Sequence, residues 1–320
     1  MDAVNEEGAL GPRITVGIPV HNGAATLRRA VESVLAQTYP VTAVHISDNA
    51  STDETAALAH ELAARSPAVR VTSHRDNLGM SGNFGFVLER AETEYFMWLA
   101  ADDYLEPTYV ERLLEALEAD PSLVACVSRA RFLRGDGTTR LVTGTFPLMG
   151  DTVSNLAAYL SGPSDNTRIF GVYRTPALQA AFTPRYFHAY DWAVAAGTLL
   201  YGRHGEVPEI LMVRDETPNA AYVRAVRRDN RTALGRLFPA APMTGDLVQR
   251  QKIPLRLPVL KALLRINLEL HLYYCLAFHP GYGRAIEPLL RKYVLWRLAA
   301  PQSAVAGDGR TGAAASQHAD

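Results

Sequence analysis

The chain has 320 residues, 48% of them hydrophobic, which suits one large domain, or a smaller one with an appendage, rather than a fibrous or disordered protein. Its two cysteines, Cys126 and Cys275, lie far apart with no Cys/His cluster beside either; this argues against a disulfide framework or structural zinc and fits a reducing cytoplasm. The formal net charge of −1 conceals a segregation, since residues 224–300 hold 14 Lys and Arg against 4 Asp and Glu and leave the remainder acidic.

Residues 1–12 carry acids and no apolar core, so they read as a flexible N-terminus and not as a secretory signal. No uninterrupted apolar run approaches the roughly 20 residues of a membrane-spanning helix. The first β-rich run, residues 14–20, predicts a strand, and His21-Asn22-Gly23 predicts a turn. Leu27, Ala30, Val31, Val34 and Leu35 then recur at helical spacing. A second strand is expected over 41–46. Ser51-Thr52-Asp53-Glu54 has the Ser-x-x-Glu form of a capping box, opening a helix that carries Leu58 and Leu62. A third strand spans 69–73, and the polar stretch 75–85 leads into a helix.

Tyr95-Phe96-Met97-Trp98-Leu99 is a short apolar run that reads as a buried strand, and it stops at Asp102-Asp103. A helix over 108–119, a strand over 123–133 and a hairpin partner over 139–142 follow. A helix over 151–161, a strand over 166–174 and a helix from Thr175-Pro176 come next. The aromatic run 186–192 precedes another helix, and 207–213 is the last expected strand, ending in Arg214-Asp215-Glu216. Beyond it, basic amphipathic helices are expected over 224–238, 257–278 and 286–299. The Ala/Gly/Ser-rich tail, 301–320, reads as disordered.

Strands alternating with helices predict an α/β fold with a doubly wound, mostly parallel sheet and helices on both faces, followed by a helical C-terminal segment. In such sheets ligands bind beyond the carboxyl ends of the strands. His21-Asn22, Ser47-Asp48-Asn49 and Asp102-Asp103 would converge on that rim. Two adjacent carboxylates repel, and burying either without a positive partner is costly. A divalent cation shared with substrate phosphates answers that need.

Ile18-Pro19-Val20-His21-Asn22, the stretch Asp48-Asn49-Ala50-Ser51-Thr52-Asp53, Asn77-Leu78-Gly79 with Asn83, Asp102-Asp103 and Tyr190-Asp191-Trp192 together resemble family 2 glycosyltransferases of the GT-A fold. The resemblance covers about residues 13–220. It departs at Ala100, where the family often has the first Asp of its triplet, and at Asn49, which replaces a second acid. It implies a GT-A nucleotide-sugar domain over 13–223, a basic helical region over 224–300 and the tail beyond. It also implies transfer of a sugar from a UDP- or GDP-type donor to an acceptor hydroxyl by a metal-assisted single displacement that inverts the anomeric centre.

By the same resemblance Pro19, Val20, His21, Asn22, Asp48 and Asn49 hold the nucleotide, while Asn77, Ser81 and Asn83 line the donor cleft. Asp102 and Asp103 coordinate Mg²⁺ or Mn²⁺. Asp191 is the general base, among aromatic rings that offer faces for sugar stacking. Arg214 is placed to fork onto phosphate oxygens, and Asp215 or His188 to complete the metal shell. Plainer readings stand beside these: an Asx turn at Asp48-Asn49, a helix cap at Asp191, a surface ion pair at Arg214. Ser51 to Glu54 are assigned to capping alone.

The basic helices have two readings, a peripheral membrane surface at the inner face of the membrane or an acceptor-binding or homodimer-forming subdomain. Nucleic-acid binding has the charge but no recognisable module. Two other functions compete: a non-catalytic nucleotide-sugar or lipid-binding protein of the same fold, and a sugar-1-phosphate nucleotidyltransferase. The second should carry a cationic Gly-rich loop after the first strand, and Pro19-Val20-His21-Asn22-Gly23 has no such cation.

Overall fold

The computed structural model describes residues 13–161, 165–216 and 240–278, with only the backbone over 270–278. The expected helices over 224–238 and 286–299, residues 1–12 and the tail from 301 lie outside the described residues. The chain divides into two compact units, Met1–Leu268 and Glu269–Asp320. No helix among the described residues is long and apolar enough to cross a membrane.

The first half alternates strand and helix as expected: β1 (Ile14–Val20), α1 (Leu27–Leu35), β2 (Ala43–Asp48), α2 (Thr55–Arg65), β3 (Val69–Ser73), α3 (Gly79–Glu89) and β4 (Tyr95–Trp98). β5 (Tyr104–Leu105), α4 (Tyr109–Ala119), β6 (Leu123–Leu133), β7 (Thr139–Leu141) and α5 (Thr152–Ser161) follow. After a 3₁₀ turn over Thr167–Phe170 come β8 (Val172–Arg174), α6 (Thr175–Ala181), α7 (Tyr190–Thr198) and β9 (Arg203–Asp215). Two C-terminal helices, α8 (Ala241–Gly245) and α9 (Leu257–Phe278), complete the described chain, separated by a π-helical turn over Asp246–Arg250.

The sheet runs β3-β2-β1-β4-β8-β6-β9-β5, with β7 paired to β6. β3, β2, β1 and β4 are parallel, as are β6 and β9. β8 lies antiparallel between β4 and β6, so the sheet is mixed. β1 is buried at all seven positions, the mark of a central strand covered on both faces. Gly17 is required there, because a Cβ would lie 2.6 Å from Val87 of α3 and 2.8 Å from Phe96 of β4. Pro19 is tolerated inside β1 because pairing with β4 ends at Gly17 and Trp98, so the side its missing N–H would face carries no ladder bond. α1 buries Leu27, Ala30, Val31 and Val34, the one-sided stripe read from the sequence.

Two expectations are corrected. The segment 166–174 is not one strand: the Asp165 carboxylate accepts from Thr167 N and Oγ1, curling the chain into the 3₁₀ turn and leaving only Val172–Arg174 extended. The capping box also fails, as α2 starts at Thr55 with Glu54 making no side-chain cap bond. Asp53 Oδ1 accepts from Thr55 N at 3.0 Å instead. Ser51 Oγ accepts from Asn22 N, and Thr52 N donates to Asn22 Oδ1, so these residues tie two loops together.

Candidate active site

β4 buries Tyr95, Phe96, Met97 and Trp98, each contributing about 1.5–3 kcal/mol by its apolar burial. Leu99 N still bonds to Gly17 O, and the chain then turns, with Asp103 N donating to Ala100 O. β5 pairs antiparallel with β9, Tyr104 opposite Val213, which carries Asp103 to the strand end at Arg214-Asp215. Arg214 Nε donates to Asp103 Oδ2 at 3.1 Å, and Asp215 N donates to Oδ1 at 2.9 Å. Asp103 is only 2% exposed, and burial pushes its carboxyl up to about 6 against the pull of Arg214. Asp102 beside it is exposed, yet the surrounding walls strip away enough water to raise its carboxyl too, with Arg214 opposing.

Arg214 also reaches the loop before β8, its Nη1 donating to Thr167 Oγ1 at 3.0 Å, and its guanidinium lies over Phe170 at 4.7 Å and Phe132 at 5.1 Å. One residue back, Asn166 Nδ2 donates to Asp191 Oδ2 at 2.9 Å. Burial raises the Asp191 carboxyl; the Asn166 bond, the Trp192 N–H and Arg214 oppose that rise. Asp191, far along the chain from the adjacent pair Asp102 and Asp103, thus shares with them the field of one arginine. Asp191 sits in the first turn of α7, entered through Ala189 at φ 61°. Asn22 (φ 55°) and Ala50 (φ 57°) hold the same left-handed conformation at the tips of β1 and β2. Such backbone costs on the order of 1 kcal/mol per residue and collects where loops are shaped for binding. Of the surrounding aromatics, Phe187 and Tyr190 are buried, which corrects their expected role in stacking; Tyr186 and Trp192 keep partly open faces.

On the nucleotide side, the register pairs Val20 with Asp48 and Asp48 with Ser73, so these strand ends share one rim with the tip of β4. Pro19 and Val20 are buried; Val20 O accepts from Asn49 N. His21 Nδ1 lies 2.9 Å from Asn49 O, and its ring is exposed at the rim. Asp48, 2% exposed, accepts from Ser51 N, three residues on, at 3.2 Å, which shapes the loop but spans one residue more than an Asx turn.

Three expected binding residues do structural work instead. Asn49 spends its amide on the loop before α3, donating to Asn77 Oδ1 and Gly79 O and accepting from Leu78 N at 2.7 Å. Asn83 is buried, donating to Ser47 O and Val20 O and accepting from Ser47 Oγ at 2.6 Å. Ser81 is buried and donates to Pro184 O. Buried amides must be paired, and these are paired within the fold. Asn77, exposed, accepts from Gly79 N as well as from Asn49.

The donor set at the tip of β4 fits a small hard cation. Asp102 offers an exposed carboxylate, and Asp103 keeps lone pairs beyond the two bonds it accepts. Among the described residues no three His, Cys, Asp or Glu are grouped to cage an ion. Mg²⁺ or Mn²⁺, which take one or two carboxylates and fill their shells with phosphate oxygens and water, suit such a rim. Of the two suggested completing ligands, Asp215 stands beside Asp103 through its backbone N–H, and His188 is buried at 7% exposure.

Asn166, Thr167 and Tyr159 join the site without having been marked by the sequence motifs. The signal was the Asp-Asn-Thr triplet at 165–167, a turn signature embedded in what looks like the start of a strand.

The profile described as Glycosyl transferase family 2 matches residues 15–182. Chondroitin synthase of Pasteurella multocida (strain Pm70) is 32% identical over 127 residues, 40% of this chain but 13% of that one. Chondroitin synthase of Escherichia coli is 36% identical over 116 residues, 36% of this chain and 17% of that one. The chain therefore spans well under a quarter of these curated relatives. Among solved structures, S. aureus TarS 1-349 in complex with UDP-GlcNAc superposes with a TM-score of 0.60 at 16% identity, over 83% of this chain and 73% of that one. Mannosyltransferase PcManGT from Pyrobaculum calidifontis in complex with GDP-Man and Mn²⁺ does so at 0.50 and 18% identity, over 92% and 82%. At these identities the superpositions establish a shared GT-A glycosyltransferase fold.

Proposed function

The chain belongs to glycosyl transferase family 2, and from that premise we propose that it moves a sugar from a nucleoside diphosphate donor to an acceptor hydroxyl. The observation that carries this reading is the chain of bonds at the rim: Arg214 bonds Asp103, beside Asp102, and Thr167, whose neighbour Asn166 bonds Asp191 in the first turn of α7. The acceptor oxygen attacks the anomeric carbon while its proton passes to Asp191, and the bond from that carbon to the diphosphate oxygen breaks. A single displacement of this kind inverts the anomeric centre. Partial burial among Tyr159, Tyr190 and Trp192 brings Asp191 toward the basicity a general base needs.

Asp102 and Asp103 are the residues assigned to hold Mg²⁺ or Mn²⁺, Asp102 through an exposed carboxylate and Asp103 through the lone pairs left beyond its two bonds. Such an ion, bound there, neutralises charge on the departing diphosphate. Arg214 is 19% exposed along its side chain and adds a second cation on that side. His21, Asn22 and Asp48 face the nucleotide. The UDP-GlcNAc and GDP-Man bound by the two structural neighbours support a uridine or guanosine diphosphate sugar as donor. The setting we assign is cytoplasmic, with peripheral contact of the C-terminal helices at the inner face of a membrane and a glycan, lipid-linked or small-molecule acceptor.

A melting series with UDP- and GDP-sugars, each with and without Mn²⁺, tests the donor reading. One nucleotide class should raise the Tm only when the metal is present, because a ligand that binds the folded state alone stabilises it by mass action. A panel in which no nucleotide sugar moves the Tm at millimolar concentration contradicts it.

A further inference from the structure

We propose that Asn166, itself held by Tyr159, is the positioning residue for Asp191: it fixes carboxylate Oδ2 and leaves the second oxygen to receive the acceptor's proton. This rests on the reading of Asp191 as the base. Tyr159 is fully buried, and its hydroxyl donates to Asn166 Oδ1 at 2.6 Å. A hydroxyl can pair with either end of an amide, so it is the acceptor-only carboxylate that decides which way Asn166 faces. The flipped amide would aim its oxygen at a carboxylate, whereas the observed one aims Nδ2 at Asp191 Oδ2 across 2.9 Å. Asn166 is only 7% exposed, so its bonds are made within the protein rather than to solvent. The ring of Tyr159 lies 5.3 Å from that of Trp192, the residue after Asp191, so one side chain braces both the amide and the helix turn that carries the carboxylate.

The turn that presents Asn166 is locked on either side. Asp165 accepts from Thr143 N at 2.8 Å and from Thr167 N at 3.1 Å. Arg168 is fully buried, donating to Phe146 O and to His204 Nδ1 at 3.4 Å. Since a guanidinium only donates, His204 must accept at Nδ1 and carry its proton on Nε2, which faces Thr198 Oγ1 of α7 at 2.9 Å. The loop is thereby tied to both ends of the helix that carries Asp191. Adjacent residues of one turn serve different partners, Asn166 the base and Thr167 the arginine. Other charged or titratable groups acting on Asp191 or packed beside it are Arg214, Tyr159 and Tyr190.

The test is the pH profile of kcat/KM for donor and acceptor in wild type, Asn166→Ala, Asn166→Gln and Tyr159→Phe. The amide N–H favours the ionised carboxylate, so its removal raises the base's pKa and moves the acid limb to higher pH. Asn166→Ala should lose about tenfold more activity on the acid limb than on the plateau, the ratio that one pH unit of displacement gives. Tyr159→Phe should move the limb the same way by less, and Asn166→Gln, which keeps a donor, should restore part of the shift. The loss should fall on kcat with donor KM little changed. A fall that is equal at every pH in Asn166→Ala and Tyr159→Phe, in variants whose melting shows them folded, overturns the proposal while leaving Asp191 as base. Full activity in Asp191→Asn instead overturns the reading beneath it.

Discussion

Asp103 shows what burying an anion costs even with a guanidinium beside it. Its two oxygens receive one guanidinium N–H and one backbone N–H, yet burial outweighs both and holds the carboxyl near 6. In the unfolded chain an aspartate titrates near 3.9. Between those values the folded state binds more protons, so this group's contribution is full below pH 4 and is lost as the pH rises through 6. The loss is on the order of 1–3 kcal/mol. In metal-free buffer, Asp103→Asn should therefore gain stability relative to wild type between pH 4 and pH 7 while losing transfer activity. Urea unfolding at the two pH values measures it. A relative stability that falls with rising pH would show that Arg214 more than compensates the buried charge. A gain in stability at the expense of activity is the pattern expected where a binding site keeps an anion waiting for its cation.

At the level of single elements, the legible and the hidden parts of the fold divide by the range of the contacts that make them. β1, α1 and β4 are announced by runs and stripes within a few residues, because burial on one or both faces dictates local composition. The tips at Asp48 and Asp102-Asp103 follow once the strands are placed. The Asn166 turn, the pairing of β5 with β9 and the antiparallel insertion of β8 depend on partners tens of residues away, and no local period records them. The same limit explains Asn49 and Asn83, whose polarity looks like ligand chemistry but is consumed by the loop and strand they fasten.

α9, expected from the sequence only as a basic amphipathic helix, carries a second apolar face. Val259, Ala262, Leu263 and Ile266 are buried, while Leu257, Leu260, Leu264 and Leu268 stand 40–72% exposed on the opposite side beside Arg256 and Lys261. Leucines flanked by cations suit the anionic surface of a bilayer, which attracts the basic residues while the apolar ridge enters the headgroup boundary. The 320-residue chain should sediment with vesicles containing anionic lipid but not with neutral ones, and Leu264→Ser with Leu268→Ser should abolish this. Failure to sediment with either vesicle, or a dimer in solution that those substitutions dissolve, would assign the ridge to another occupant.

Over the whole molecule, charge and chemistry are laid out together. The acidic part of the chain holds the carboxylates of the candidate site, and the basic excess falls in residues 224–300. The family profile and the superpositions establish the enzyme family and its fold, whereas the chemistry argued for rests on the bonded chain from Asp103 through Arg214 and the Asn166-Thr167 turn to Asp191. The direct measurement is release of nucleoside diphosphate from the donor that the melting series selects, with acceptor and Mn²⁺ present. Wild type should release it catalytically and stop on chelation by EDTA, and Asp102→Ala and Asp191→Asn should each fall by at least about a hundredfold, the scale of a lost acid–base group. Undiminished release by Asp191→Asn, or tight donor binding by the wild type with no release to any acceptor, would contradict the account.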